Sequence, residues 1–578
     1  MNIQKADEIA IRDALEQRAD YIPVDDIVVE TYSDGENFKN AISELTNRGL
    51  RTLVGPRGSG KTHLMRYTWA ICRGDVQAPF AVYVSFNRYF RLEPMQTTKP
   101  NPNELFHSWT LSLILFSAYD AAVLWGIPEV EIQKIFAQFQ IDRGTLQGLI
   151  SRLERGQALS SSESELSSIL SINDTKIIIE ELRVTANRKF SILLLDDAAL
   201  TLTPNFLIDF LDIVRSLKSS TIAPKASVYP GTTEYSPRFH AGHDSLSIQF
   251  WHPIDSDSYS VVMGGIAGKR VSNIANIPDD VVELFKYAAF GIPRAFLSMI
   301  WEYQRRKSRS TQQSIINSIT QEYLSSRLLE YRSLVKKVPK FRTIILAGED
   351  LLNEMGTLVR DANAKAIPAQ EKQISIGILK DDVSPIVKRM LDLLVEAGLI
   401  YQQTDVSHGL PARVYHRYVP HTAVLLGVRA FSLGQHGTSP RQIVEVIKYK
   451  TVKHPIRKRL SILSPARISE LKIDLPPCSR CQTPRLSESQ KFCHECGSEL
   501  IDSSAFAECC KANISDVPGL TNWQKQQMTL VLPKFKTIGD YIAKQDPSAE
   551  LLTIRGIGTK RSTKIIDVLN GFIDEFLS

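Results

Sequence analysis

A short aliphatic run, Leu50 to Val54, leads directly into Gly55-Pro56-Arg57-Gly58-Ser59-Gly60-Lys61-Thr62, and an amphipathic stretch, His63 to Cys72, follows at once. The spacing GxxxxGK[ST] between a strand and a helix is that of a phosphate-binding loop. Its glycines let successive backbone N–H groups turn inward around phosphate oxygens, its lysine neutralises their charge, and its Ser or Thr hydroxyl can ligate Mg²⁺. Gly55, Pro56, Arg57, Gly58, Ser59, Gly60, Lys61, Thr62 and the first residue beyond them, His63, are the expected nucleotide-binding set, with Thr62 a magnesium ligand. Such a loop follows a buried strand of a parallel sheet, so at least this part of the chain is expected to be α/β.

Other strand-like runs support that sheet. Ala81 to Phe86, Ser191 to Leu195 and Ala226 to Tyr229 are short and rich in aliphatic or β-branched residues, as strands covered on both faces require. The second, Ser191 to Leu195, is followed by Asp196-Asp197. A carboxylate at a strand end beside a phosphate loop can hold Mg²⁺, and a second can polarise the attacking water, so Asp196 is the expected metal ligand and Asp197 the expected general base. Between about 100 and 185 lies a mostly helical insertion, in which the Ser-rich Ala158 to Ser168 reads as a loop or linker.

A chain of 578 residues is long enough for about three to five packed units. Its 43% hydrophobic and 23% charged residues exclude disordered, collagen-like and disulfide-scaffold classes. The net charge of +6 is uneven: residues 441–472 carry nine Lys or Arg against Glu445 and Glu470, a local +7, which leaves the remainder near neutral. Arg457, Lys458 and Arg459 form the densest part of that run and are the expected phosphate-backbone contacts of a nucleic acid.

Six of the seven cysteines fall within 478–510. Cys478 and Cys481, then Cys493 and Cys496 after eleven intervening residues, make two CxxC knuckles whose four thiolates can close tetrahedrally on one structural zinc ion. The segment looks like a zinc ribbon. Cys509 and Cys510 are adjacent and are left out of the site, as is His494. Near the C-terminus, Ile554-Arg555-Gly556-Ile557-Gly558-Thr559-Lys560-Arg561 resembles a helix-hairpin-helix turn, which presents backbone N–H groups to a DNA phosphate. Gly556, Gly558, Lys560, Arg561 and Lys564 are then the expected contacts, and Val517-Pro518-Gly519-Leu520 is a degenerate first copy. A tight turn used for protein docking would share the Gly-Ile-Gly pattern.

With the loop and the Asp pair in place, the nucleotide-binding region resembles AAA+ ATPases, in particular the branch related to origin-recognition and replication-initiator proteins. Val228-Tyr229-Pro230-Gly231-Thr232-Thr233 lies at the family's sensor 1 position, which implies that Thr232 or Thr233 meets the γ-phosphate or attacking water. Gly291-Ile292-Pro293-Arg294 resembles the GxPR signature of sensor 2 and implies that Arg294 reaches the γ-phosphate from a helical lid. Arg238 falls about where the family places an intersubunit arginine finger. Two departures stand out. The gap from Lys61 to Asp196 is 135 residues, and the second acidic position is Asp197 where the family has Glu. Either hydrolysis is slow and the protein acts as a switch, or the site is adjusted around the shorter base.

The expected architecture is multidomain: an α/β AAA+ core over 1–263, a helical lid over 264–335, a winged-helix-like α+β unit over 336–435, a basic connector over 436–472, a zinc ribbon over 473–502 and an all-α helix-hairpin-helix domain over 503–578. The winged-helix reading rests on helix Pro385 to Ala397 followed by the extended pieces Leu399 to Asp405 and Ala412 to Val419. The expected function is ATP-dependent DNA binding, in which ATP binding and hydrolysis control engagement of double-stranded DNA or assembly with partners, including copies of the chain itself. Two alternatives remain at this stage: a nucleotide-switched defence ATPase that senses nucleic acid and acts through a separate effector, and an ATP-binding scaffold with little turnover. No secretory signal or membrane span is apparent, so a cytoplasmic protein is expected.

Overall fold

The computed structural model describes Ala19 and residues 22–577, apart from 94, 96–98, 198–203, 232–241, 243, 272, 307–310, 410–411, 433–437, 479, 488–489, 491, 499, 501–504, 518–519, 531–534 and 545. Five strands, β1 (Arg51–Val54), β2 (Phe80–Ser85), β3 (Ser191–Asp196), β4 (Ile222–Val228) and β5 (Leu246–Gln249), form one sheet in the order β2-β3-β4-β1-β5. Every pairing is parallel. Both faces are covered, as near-continuous apolar strands demand. Leu193 and Leu195 of β3 face one apolar cluster, while Ile192 and Leu194 face another.

The 100–185 insertion is a layer of the fold. Helices Pro102–Leu124, Glu129–Ala137, Arg143–Glu154 and Ile172–Thr185 pack on the Leu193 face, where Phe106 stacks on Phe206 at 4.4 Å and Trp109 is fully buried. The Ser-rich piece expected to be a linker is instead helix Ser161–Ile169. Ser160 and Glu163 form a reciprocal capping box and Leu166 is buried, so an N-terminal helix signal outweighs serine content. The apolar helix Pro102–Leu124 is covered by this layer, and among the described residues no helix is long and apolar enough to cross a membrane.

On the opposite face lie helices Glu36–Thr46 and Lys61–Gly74. Lys225 of β4 is buried there and donates to the carbonyls of Asn47 and Gly49 at 2.6 and 2.7 Å, satisfying backbone acceptors just past a helix end. Burial pushes its ammonium down to about 7.

A second apolar core runs continuously from Trp251 to Leu471. It joins helices Tyr259–Arg270, Asp279–Ala288, Pro293–Arg305, Gln312–Lys337 and Arg342–Ala366 to helix Pro385–Glu396 and the strands β6 (Glu371–Lys372), β7 (Ile376–Leu379), β8 (Ile400–His408) and β9 (Arg413–Pro420). Helix Pro385–Glu396 and the β8–β9 hairpin occur where the sequence placed them. Of residues 436–472, expected as a connector, the described ones from 438 on are instead folded into this body. Helix Pro440–Ile447 has its own capping box, β10 (Lys450–Thr451) pairs with β6, and β11 (Ile456–Lys458) pairs with β7, giving a sheet in the order β11-β7-β9-β8. Strands of two or three residues leave no periodicity in sequence, so only the charge run is visible there.

In the last part, from helix Ala505–Lys511 to helix Thr559–Leu577, the described elements are helices around a separate core that includes Cys509, Ile514, Ile538, Ile557 and Leu569.

Candidate functional site

The phosphate loop closes the end of β1 as its sequence requires. Gly58 and Gly60 have φ of +83° and +94°, in the left-handed region that glycine enters without strain. Gly55 meets the chain after β5 so closely that a Cβ there would stand 2.5 Å from the Phe250 carbonyl oxygen. Lys61 is buried; its ammonium donates to the carbonyls of Gly55 at 2.7 Å and Pro56 at 3.1 Å and lies 4.2 Å from the centre of the Tyr229 ring. Burial lowers its pKa to about 8, against the opposing pull of Asp197 and Asp196. Ser59 is buried, and its hydroxyl has no hydrogen-bond partner among the described residues.

Asp196 ends β3 and is buried. One carboxylate oxygen accepts from the Tyr83 hydroxyl at 3.0 Å, and the other, Oδ1, has no hydrogen-bond partner among the described residues. An unsatisfied anionic oxygen costs free energy in a protein interior unless a cation or donor meets it, so Asp196 and the half-buried Thr62 fit a hard divalent cation such as Mg²⁺. Asp197 has φ of +51°, a left-handed conformation uncommon outside glycine, and its N–H donates to Ser227 Oγ at 2.8 Å. The His63 ring is engaged elsewhere: its Nε2 lies 2.7 Å from Thr31 Oγ1, and burial pushes its ring pKa to about 4.

The GIPR turn comes against the loop from the side. A Cβ on Gly58 would sit 3.1 Å from Ile292 Cγ2 and 3.6 Å from Arg294 Cβ, so the base of Arg294 touches the phosphate loop while its side chain remains exposed. Gly291 (φ +75°) makes that turn possible: its N–H donates to the Tyr259 hydroxyl at 2.8 Å, and an added Cβ would collide with the His252 carbonyl and stand 2.9 Å from the Trp251 ring. Gly291→Ala combines a forbidden φ with a backbone clash. It is expected to lower stability by about 2–4 kcal/mol, read from the denaturant midpoint, and an unchanged midpoint would contradict this description of the turn. Thr232, Thr233 and Arg238 lie outside the described residues.

Two site residues went unnoticed in the sequence. Glu396, almost fully buried, accepts the Gly231 N–H on its carboxylate at 3.1 Å, and its carbonyl lies 3.4 Å from the Arg57 nitrogen. Arg327, on helix Gln312–Lys337, donates to the Arg57 carbonyl at 2.9 Å. Both contacts span long stretches of chain and have no local signal.

The four predicted zinc ligands converge. Cys478, Cys481, Cys493 and Cys496 place their sulfurs within 4.8 Å of one another, with Cys478–Cys496 at 3.5 Å and Cys481–Cys493 at 3.4 Å. The two knuckles share one backbone pattern. Cys478 N donates to Thr483 O and Gln482 N to Cys478 O, while Cys493 N donates to Ser498 O and Gly497 N to Cys493 O. Gln482 and Gly497, each following the second cysteine of its knuckle, are both left-handed at φ +61° and +68°. Four soft thiolates on repeated turns fit a closed tetrahedral Zn²⁺ site. Cys509 is instead part of the C-terminal core.

The basic run is partly neutralised. Arg441 pairs with Glu445, Lys448 with Glu283, Arg459 with Asp382, Arg467 with Asp350 and Glu470, and Lys472 with Asp474. Arg457 and Lys458 lie on the edge strand β11, with Arg457 and Arg459 exposed. At the C-terminal turn, Gly556 has φ of +93° and lies against Trp523, and the Gly558 carbonyl accepts from Arg561 and Ser562 at the start of helix Thr559–Leu577. Lys560, Arg561 and Lys564 are all exposed there. Pro518 and Gly519 of the degenerate first copy lie outside the described residues.

No protein-family model and no curated protein matches the chain. Among solved structures it is similar to the Walker-type ATPase PABY2304 of Pyrococcus abyssi, at 15% identity over 69% of this chain and 96% of that one, with a TM-score of 0.33. It is also similar to the ORC1 protein of Aeropyrum pernix, solved in complex with DNA, at 14% identity over 72% of this chain and 95% of that one, with a TM-score of 0.29. Both likenesses are distant in sequence and in superposition, so the chemistry must come from the site itself.

Proposed function

We propose that the chain is an AAA+ ATPase of the origin-recognition-like branch that couples ATP binding and hydrolysis to its hold on double-stranded DNA. The observation that carries the ATPase half is convergence: the phosphate loop, the buried Asp196 with its unsatisfied oxygen, the left-handed Asp197 and the GIPR turn meet at one end of the sheet. In this reading the loop N–H groups and Lys61 bind the phosphates, Asp197 orients and deprotonates the attacking water, and Arg294 stabilises charge developing on the γ-phosphate. Thr62 and Asp196 would hold Mg²⁺, which would supply positive charge to offset that of the phosphates. Thr232 or Thr233 and Arg238 keep their proposed roles in sensing the γ-phosphate and completing a neighbouring subunit's site. Steady-state phosphate release by the full chain, compared with its Asp197→Asn variant, tests the assignment; a variant as fast as the parent would remove Asp197 as base.

The DNA half is supported by three features: the helix and hairpin of a winged-helix-like unit, the exposed stripe of Arg457 and Arg459, and a helix-hairpin-helix-like turn with Lys560, Arg561 and Lys564 exposed. The zinc ribbon would fix the spacing between these surfaces. Replacing Arg457, Lys458 and Arg459 together by alanine is expected to weaken DNA binding and reduce the slope of log affinity against log salt by about 2–3, on the basis of roughly 0.9 per phosphate contact. Parental affinity and slope would move the DNA surface elsewhere. A second reading, nucleotide binding with little turnover, is favoured by one observation: Asp197 is a methylene shorter than the glutamate the family uses. The protein is proposed to work in the cytoplasm.

A further inference from the structure

Helix Pro385–Glu396 has one face in its own domain's core, through Val387, Met390, Leu391 and Leu394, and a second face against the nucleotide site. Arg389, Leu393 and Glu396 stand at i, i+4 and i+7, so they form one stripe along the helix. Each meets the site. Arg389 donates to the Gly231 carbonyl at 3.2 Å; Gly231 lies so close to Leu393 that a Cβ on it would be 2.6 Å from the Leu393 Cα; and Glu396 accepts the Gly231 N–H at 3.1 Å. The Glu396 carbonyl faces the Arg57 N–H within the phosphate loop. Just beyond, Gly398 (φ +70°) is pressed between Ile292 and Pro56, with Arg327 holding the Arg57 carbonyl beside it.

We propose that Glu396 is a latch: its buried carboxylate holds helix Pro385–Glu396 on the Gly231 turn that follows β4, its backbone carbonyl meets the phosphate loop at Arg57, and a nucleoside triphosphate entering the loop displaces it. The proposal rests on the nucleotide-site reading above and adds to it a competitor built into the chain. Two features make the competition direct. The latch engages backbone N–H groups of Arg57 and Gly231, at the two segments that reading assigns to phosphate. It also places a carboxylate, almost fully removed from water, within electrostatic reach of the Lys61 ammonium, where a triphosphate would bring several negative charges. Like charges in a dry site repel strongly, so bound triphosphate favours the state in which Glu396 has left. Because the other face of the helix is fixed in the Trp251–Leu471 core, release would move the body that carries β11 and its arginines, linking nucleotide state to the proposed DNA surface. A latch closed about nine-tenths of the time lowers apparent nucleotide affinity about tenfold, since only the open fraction binds.

The test uses the full-length chain, a fluorescent ATP analogue with Mg²⁺, and hydrogen–deuterium exchange over residues 385–396. Glu396→Gln keeps the shape and removes the charge; it is expected to bind the analogue about five- to tenfold more tightly than the parent. Arg389→Ala removes a positive charge near the phosphates, which by charge alone would weaken binding, yet as a clasp residue it is expected to tighten binding in the same direction. In the parent, the analogue is expected to speed exchange over 385–396. Unchanged affinity in both variants, or unchanged exchange on binding, would overturn the latch while parental binding that is lost in Lys61→Ala left the nucleotide site standing. Absence of binding in the parent and in Glu396→Gln alike would overturn both.

Discussion

Lys61→Ala is expected to weaken Mg-ATP binding about a hundredfold or more and to abolish measurable turnover. The lysine is buried, and its ammonium donates to the Gly55 and Pro56 carbonyls and lies over Tyr229, within reach of Asp196 and Asp197. Removing it leaves phosphate charge uncompensated where water cannot screen it, and loss of one such preorganised donor typically costs about a hundred- to a thousandfold. The same environment sets a pH dependence. Burial lowers the Lys61 pKa to about 8. Below that value the ammonium is charged and competent; above it the nucleotide-free protein increasingly carries a neutral amine. Apparent affinity should therefore hold steady below pH 8 and decline above it, by up to about tenfold per unit. Titration by calorimetry at pH 7, 8 and 9 checks the direction, and affinity that rises across this range would contradict the placement of Lys61.

The second large effect concerns the cysteines. Full-length protein is expected to carry about one zinc per chain, and removing it, or replacing Cys493 by Ser, is expected to unfold residues 473–502 while leaving the parallel sheet intact. The described residues of this segment include buried Cys478 and Cys493, but beyond Ile473 at its start they contribute to no apolar core. Metal binding must then supply the folding free energy, about 10–16 kcal/mol in small structural zinc sites. Limited proteolysis before and after chelation reads the outcome. New cleavage confined to 473–502 fits a closed Cys₄ site, whereas a metal-free chain with the same protease resistance would refute it.

What the sequence made legible follows a physical divide. The phosphate loop, Asp196, the two CxxC knuckles and the GIPR turn are local devices, each requiring particular residues at fixed spacing, and each is found where that spacing put it. The strands of the parallel sheet were readable because burial on both faces makes them uniformly apolar. β5 escaped notice because, at the sheet edge, its residues are mostly exposed and carry no such pattern. Helix Ser161–Ile169 hides behind a Ser-rich composition that suggests a loop, while its capping box fixes a helix start. Arg327 and Glu396 could not be found at all: the first contacts Arg57 across 270 positions, and the second contacts Gly231 across 165. The +7 of residues 441–472 was real as a sum, yet five of its nine basic side chains are ion-paired, which concentrates the exposed charge around Lys450, Lys453 and Arg457.

Steady-state ATP hydrolysis by the full-length chain, titrated with double-stranded DNA at low salt, addresses the central claim most directly. The account predicts phosphate release that depends on Lys61 and rises as DNA saturates. A chain that neither binds nor hydrolyses ATP, or whose turnover is unaffected by DNA it demonstrably binds, would contradict it.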